Sequence, residues 1–262
     1  MQTSNIAKPF KQALVSILSL FPARFSALSI LMYHSVSDSD AFFAVSPKKF
    51  GQQMKYIHDS GFGSVFASEI PARMESRKLA RTVCITFDDG YEDVYTNAYP
   101  ILKSLNIKAT VFLITNEIGG SYTNSEGRTF PLLGREQIAE MRVSGLVEFM
   151  PHGHTHRKLH QLTESEQKKE IALSRNTIKD LTGSFPEVFA YPRGHTNPAI
   201  AEMLKRFGFT LALGVVPGLV RRDSERYNLP RNAVDKNVEF QEFKLKLSDR
   251  VEWYSAISRF FR

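Results

Sequence analysis

Two rhythms of apolar residues alternate along the chain. Short, nearly unbroken apolar runs occupy residues 29–33 (SILMY), 63–66 (GSVF), 82–87 (TVCITF), 108–114 (KATVFLI), 147–150 (VEFM), 188–192 (VFAYP) and 210–215 (TLALGV). Each reads as a strand buried on both faces. Between them, apolar positions recur every three or four residues over 46–61, 95–106, 134–145, 163–183 and 197–209, as in amphipathic helices. Local punctuation agrees. Ser46-Pro47 opens the first of these helices and Gly61 stops it, and Thr163 with Glu166 three residues on forms a capping box. A long loop with the pair Gly119-Gly120 runs from the strand ending near 114 to about Pro131. Strands alternating with helices imply βα units and a mostly parallel sheet. About seven such units predict an α/β fold whose sheet closes, or nearly closes, into a barrel.

The first residues follow a different logic. Phe10, Leu14, Ile17, Leu18 and Phe21 fall on one side of a helix. The run is short and ends at Pro22, so it cannot cross a bilayer. Lys8 and Lys11 ahead of ALVSILSL imitate the start of a signal peptide, but the small-residue cleavage site is poor. Two readings stay open: a basic amphipathic helix lying on a membrane through residues 6–21, or a cap packed on the domain, with the cap preferred. The chain therefore divides into an amphipathic segment, 1–28, and a domain, 29–262. The balance favours a cytoplasmic or peripheral-membrane location over a secreted or periplasmic one.

Composition narrows the partners. Of 262 residues one is cysteine, Cys84, which excludes an internal disulfide framework and reads as a small core residue. The net charge of +7 is spread thinly, with no dense basic run and no interleaving of aromatic and basic residues. A solvated basic surface accounts for it, and no nucleic-acid partner is expected.

Chemistry gathers where the strands end, as in βα folds generally. Asp88 and Asp89 follow the strand at 82–87, with Gly90 allowing a tight turn behind them. One Asp would suffice as a helix cap; two adjacent carboxylates repel and ask for a cation. After the strand at 147–150 comes PHGHTHRKLH, with four of the chain's seven histidines. His152 and His156 are four apart, a spacing that presents two imidazoles to one ion. With Asp89 they make a set that suits zinc or a similar divalent ion and leaves coordination positions open, the catalytic pattern. Asp88 is then free to act as the base for the attacking water. His154 and His160 read as supporting or surface residues.

Taken together, TFDDGY, HGHTHRKL, FAYPRG and ILMYHSV resemble the polysaccharide deacetylases, the NodB-homology or carbohydrate esterase family 4 group, over about residues 29–235. The resemblance implies a distorted (β/α)7 barrel that removes acetyl groups from N- or O-acetylated sugars with a divalent metal, zinc before cobalt or nickel, so that an acetylated glycan is the expected partner. It implies Asp88 as catalytic base, Asp89, His152 and His156 as metal ligands, and the Tyr91 backbone amide as a donor to the oxyanion. ILMYHSV is similar to a subgroup that draws its general acid from the first strand, which points to His34, with Tyr33 facing the other way. In NLPRNAV, Arg231 is expected to pair with Asp88 and keep it ionised. Gly153 departs from the Ser or Thr common after the first metal histidine. In YPRG, Arg193 stands where an aromatic groove wall is frequent, open to a contact with an anionic sugar or to a plain surface role.

Overall fold

The computed structural model describes residues 8–124 and 127–260. Residues 6 and 7 of the expected membrane-facing stretch, and the last two residues of the expected domain, lie outside them. Seven parallel strands form the framework: β1 Leu28–Tyr33, β2 Thr82–Phe87, β3 Ala109–Leu113, β4 Val147–Pro151, β5 Val188–Ala190, β6 Leu211–Leu213 and β7 Asn232–Ala233. Five of them pair in the order β7-β1-β2-β3-β4, and β5 pairs with β6. Single contacts carry the ring across its two seams. His152 Nδ1, just past β4, lies 2.9 Å from Ala190 O on β5. Beyond β6, Gly214 N–H donates to Leu229 O at 2.9 Å and Arg231 N–H to Val216 O at 3.0 Å. The result is a distorted (β/α)7 barrel.

Every residue of β1, β2 and β3 is buried, because one face of each strand looks into the barrel and the other is covered by helices. Ile30, Cys84, Phe112, Ala190 and Leu213 belong to one core cluster. Leu31, Tyr33, Ile85, Phe87 and Val111 belong to another, which they share with the helices. The helices are α1 Lys8–Ser19, α2 Pro47–Asp59, α3 Ile70–Ser76, α4 Tyr99–Leu105, α5 Arg135–Val143, α6 Glu164–Thr182, α7 Pro198–Arg206, α8 Phe240–Lys246 and α9 Arg250–Phe260. Ser46 caps α2 and the Thr163–Glu166 box opens α6.

Four places differ from the pattern-based reading. Only Gly63–Ser64 of the run at 63–66 pairs as a strand, alongside β2. The helix expected over 95–106 begins as a wide π-type turn, Val94–Ala98, before α4. Pro100 has no N–H to give to Thr96, so the backbone widens there and the Tyr99 N–H reaches back to Val94 O. The loop before Pro131 contains an antiparallel hairpin, Ser121–Thr123 with Thr129–Pro131, too short to register as alternation. Finally β7, α8 and α9 fall in a charged C-terminal stretch without a clear period.

The apolar stripe of α1 is split. Leu14, Val15 and Leu18 pack with Leu219, Leu245, Val251 and Tyr254. Lys11 Nζ turns inward to Glu242 Oε2 at 2.8 Å. Ile17, Leu20 and Phe21 remain exposed, and the Phe21 ring meets the edge of exposed Trp253. Among the described residues no helix is long and apolar enough to cross a membrane.

Candidate active site

The site lies at the C-terminal mouth of the barrel, and backbone conformation puts its side chains there. Asp88 N–H continues the ladder to Tyr33 O at 3.0 Å. Asp89 and Gly90 then turn the chain with successive positive φ values of 69° and 77°. A Cβ on Gly90 would come within 2.6 Å of Leu113 Cδ2, so any other residue would have to push that side chain aside as well as take up a positive φ. On the next strand but one, His152 N–H donates to Leu113 O at 2.8 Å. Gly153 and His156 also adopt positive φ, 79° and 59°, and fold the chain so that His156 returns to His152. The buried Glu170 of α6 holds that fold: Oε2 accepts from the backbone N–H of His154 and Thr155, at 3.0 and 2.9 Å, and Oε1 from Thr155 Oγ1 at 2.6 Å.

Asp89, His152 and His156 present three ligand atoms within 4.8 Å of one another. His152 Nε2 lies 3.7 Å and His156 Nε2 3.4 Å from Asp89 Oδ1. That oxygen is buried and has no hydrogen-bond partner in the protein. A buried carboxylate oxygen left unsatisfied is costly unless a cation takes it. The histidines are prepared in the same sense. With Ala190 O beside Nδ1 of His152 and the Tyr122 hydroxyl 2.7 Å from Nδ1 of His156, each ring keeps Nε2 free to ligate. Burial lowers both: His152 to about 4, against the opposing pull of Asp88, and His156 to about 3, helped by the Arg193 charge. Neutral imidazoles are what a metal requires. The residues present therefore fit a divalent ion.

Asp88 stands in different company. Arg231, fully buried, grips it with two hydrogen bonds, Nη1–Oδ1 at 2.7 Å and Nη2–Oδ2 at 2.8 Å, while its Nε donates to Gly214 O at 2.7 Å. Burial alone would raise the Asp88 carboxyl. The Arg231 charge, with help from His152, outweighs it and holds the group well below the usual carboxylate range.

Residues 75–212 match the family model of the polysaccharide deacetylases. A Bacillus subtilis protein assigned to the same family, YxkH, is 32% identical over 218 residues, covering 82% of this chain and 74% of its own length. The chain belongs to the polysaccharide deacetylase family. A poly-β-1,6-N-acetyl-D-glucosamine N-deacetylase of Staphylococcus aureus is 29% identical over 216 residues, 78% of this chain and 72% of that one. Among solved structures, IcaB from Ammonifex degensii superposes with a TM-score of 0.73 at 26% identity, over 88% of this chain and 98% of that one.

Aromatic side chains line part of the rest of the deacetylase pocket, beside Met32, Val215, Val234 and the carboxylate of Asp235. The Tyr91 ring stacks on Phe43 at 5.4 Å and 7°, and Phe130 from the hairpin meets both edge-on. Among the described residues the Tyr91 N–H has no backbone acceptor: its neighbours take the bonds of the turn, Glu92 N–H to Pro131 O and Leu133 N–H to Gly90 O. His34 lines the same pocket, half-buried, with its ring 5.8 Å from Phe43. Its loop is fixed by Asp93, which accepts from Ser35 Oγ at 2.5 Å and Val36 N–H at 3.0 Å, and by Asn97, which donates to Val36 O at 2.8 Å. Tyr33 points away from the site and donates to Gln53 Oε1 at 2.8 Å. His154 lies against Thr115 Oγ1 at 3.0 Å, and His160 pairs with the His195 ring at 4.8 Å; neither belongs to the cluster of ligand atoms. Tyr122, Glu170, Asp93 and the Phe42-Phe43 pair carry no motif signal in the sequence. They come from a hairpin, a helix and a loop whose role exists only once the barrel closes.

Proposed function

We propose that this deacetylase hydrolyses the N-acetyl group of glucosamine-type units in a poly- or oligosaccharide, with zinc held by Asp89, His152 and His156. As a family member it is a hydrolase acting on non-peptide carbon–nitrogen bonds. The observation that supports metal use most is the unsatisfied Asp89 Oδ1 facing two prepared imidazoles. A divalent ion bound there supplies Lewis-acid polarisation and water activation, worth several kcal/mol of barrier. Asp88, kept ionised by Arg231, takes the proton of the attacking water. The Tyr91 backbone N–H donates to the oxyanion that develops on the acetyl oxygen. His34, which lines the same pocket, gives a proton to the nitrogen as the carbon–nitrogen bond breaks, releasing acetate and a free amine. The Staphylococcus aureus relative, whose name specifies an N-acetylglucosamine polymer, supports the choice of amide over ester.

The test is acetate release from a panel of N-acetylated and O-acetylated glycans. N-acetyl substrates alone should respond. Release from O-acetyl substrates only would make the chain an esterase, and tight zinc binding with no release would make it a carbohydrate-binding barrel.

We further propose peripheral membrane attachment through the outer side of α1, the two residues that follow it and Trp253 of α9. The observation favouring it is the exposed set Ile17, Leu20, Phe21 and Trp253 on a basic molecule. Co-sedimentation with anionic vesicles should drop in a variant carrying Ile17→Ser and Leu20→Ser. Unchanged sedimentation would refute the attachment.

A further inference from the structure

Arg193 sits in a conformation that its residue type does not favour. Its φ is +62°, in the left-handed region, followed by Gly194 at +73°. A Cβ on Gly194 would lie 2.3 Å from Val215 Cγ2, so the turn passes close against Val215 just beyond β6. A left-handed, non-glycine residue costs on the order of 1 kcal/mol and persists at sites where it serves a purpose. Here the turn delivers a guanidinium to the rim of the active pocket, where Arg193 Nη2 reaches the Tyr122 hydroxyl at a long 3.4 Å. Tyr122 in turn touches the metal-type ligand His156, so the guanidinium stands two contacts from the reacting centre.

A second, open pocket adjoins the first and shares His156 and Arg193 with it; Arg157, Lys158, Gln161 and Leu162 complete its lining. Arg157 is spent on Glu166, at 3.1 Å. Among the described residues, Arg193 and Lys158 form no ion pair with a carboxylate. No acidic side chain among the described residues lines this annex. In the centre next to it Arg231 pairs with Asp88 and a divalent ion would take Asp89, which leaves Asp235 as the carboxylate without an ion pair, among the described residues, in the pocket that Arg193 shares. Two cations without a carboxylate partner and an amide donor, lining one annex beside a sugar site, suit an anion.

We propose that Arg193 and Lys158, with Gln161, bind an anionic substituent, a phosphate or a carboxylate, carried by the acetylated glycan on the reacting sugar or the one next to it. The proposal rests on the deacetylase reading of the site and narrows its substrate to acidic glycans. The planar guanidinium offers two parallel donors to either oxyanion, and Lys158 adds a point charge.

Three probes test this with the zinc-loaded full chain: an N-acetylglucosamine tetramer, its 6-phosphorylated form and its 6-carboxylate form. At low salt an anionic probe should show kcat/KM about 10-fold above the neutral tetramer, with the gap in KM and shrinking as salt rises. In Arg193→Gln with Lys158→Gln the ratio should fall to within about 2-fold, and Arg193→Lys should keep part of it. Whichever probe shows the larger ratio identifies the source of the anion. Calorimetric titration of the same probes into Asp88→Asn protein gives the preference without turnover. Equal binding of neutral and anionic probes, or a preference that survives both glutamine substitutions, would overturn the proposal. Anion-selective binding with no hydrolysis of any probe would instead leave the annex standing and remove the deacetylase reading.

Discussion

Asp88 and Asp89 are neighbours in sequence and nearly equal in burial, and their surroundings divide their work. Asp88 has a guanidinium on both oxygens; Asp89 has an oxygen facing two imidazole nitrogens and nothing else. Replacing Arg231 with Met leaves the Asp88 carboxylate buried without its partner. Urea unfolding should report a loss of about 3–5 kcal/mol. The same change lets burial raise the Asp88 pKa, so the acid limb of kcat/KM should move to higher pH; a limb that stays in place would mean that Asp88 is not the base. Tyr122 acts through His156. Tyr122→Phe removes the oxygen at His156 Nδ1 and should weaken zinc binding about 10- to 100-fold, measured by competition with a chelator.

At the scale of elements, the site depends on turns that only particular residues can make. Gly90→Ala would bring a methyl within 2.6 Å of Leu113 at a φ of +77°. It should lower stability by about 1–3 kcal/mol and displace Asp89, so zinc affinity should fall with the melting temperature. Elements with an unbroken run or a clear cap were legible in the sequence: β1 to β6, the Ser46 cap and the Thr163–Glu166 box each rest on local rules. The motif residues at the strand ends were legible for the same reason, since adjacent carboxylates and clustered histidines have few structural excuses. The hairpin that brings Tyr122 was not, because three-residue strands of mixed exposure leave no period. Glu170 was not, because a glutamate within KKEIAL reads as one more surface charge until α6 is laid against the loop at 153–156. The π-type turn follows from Pro100, but its use, setting Asn97 on the His34 loop just behind Asp93, depends on tertiary contact.

Across the whole molecule, the pocket is assembled from the C-terminal ends of β1, β2, β4, β5, β6 and β7 with the hairpin at 121–123 and the loop at 42–43, so folding and metal binding are linked. In the metal-free protein His152 and His156 titrate near 4 and 3, against about 6.5 in the unfolded chain. As pH falls below 6.5 the unfolded state takes up protons that the folded state refuses. The stability contributed by neutral imidazoles is therefore complete above that pH and lost as pH falls toward 4, at up to about 1.4 kcal/mol per pH unit for each histidine. Urea unfolding of chelated protein at pH 7.5, 5.5 and 4.5 should show this decline, and rising stability over that range would contradict it. The α1 cap packs on α8 and α9. Leu18→Ala, at a site buried against α8 and α9, should cost about 2–5 kcal/mol, whereas Leu20→Ser, exposed, should cost little. The most direct test of the central claim is the rate of acetate release from an N-acetylglucosamine polymer, measured with zinc-loaded wild-type protein and zinc-loaded Asp88→Asn, with zinc content determined on the same samples. A fall of about 100-fold or more at unchanged zinc content is the predicted result. Full activity in Asp88→Asn, or loss of its zinc, would contradict the division of labour between the two carboxylates.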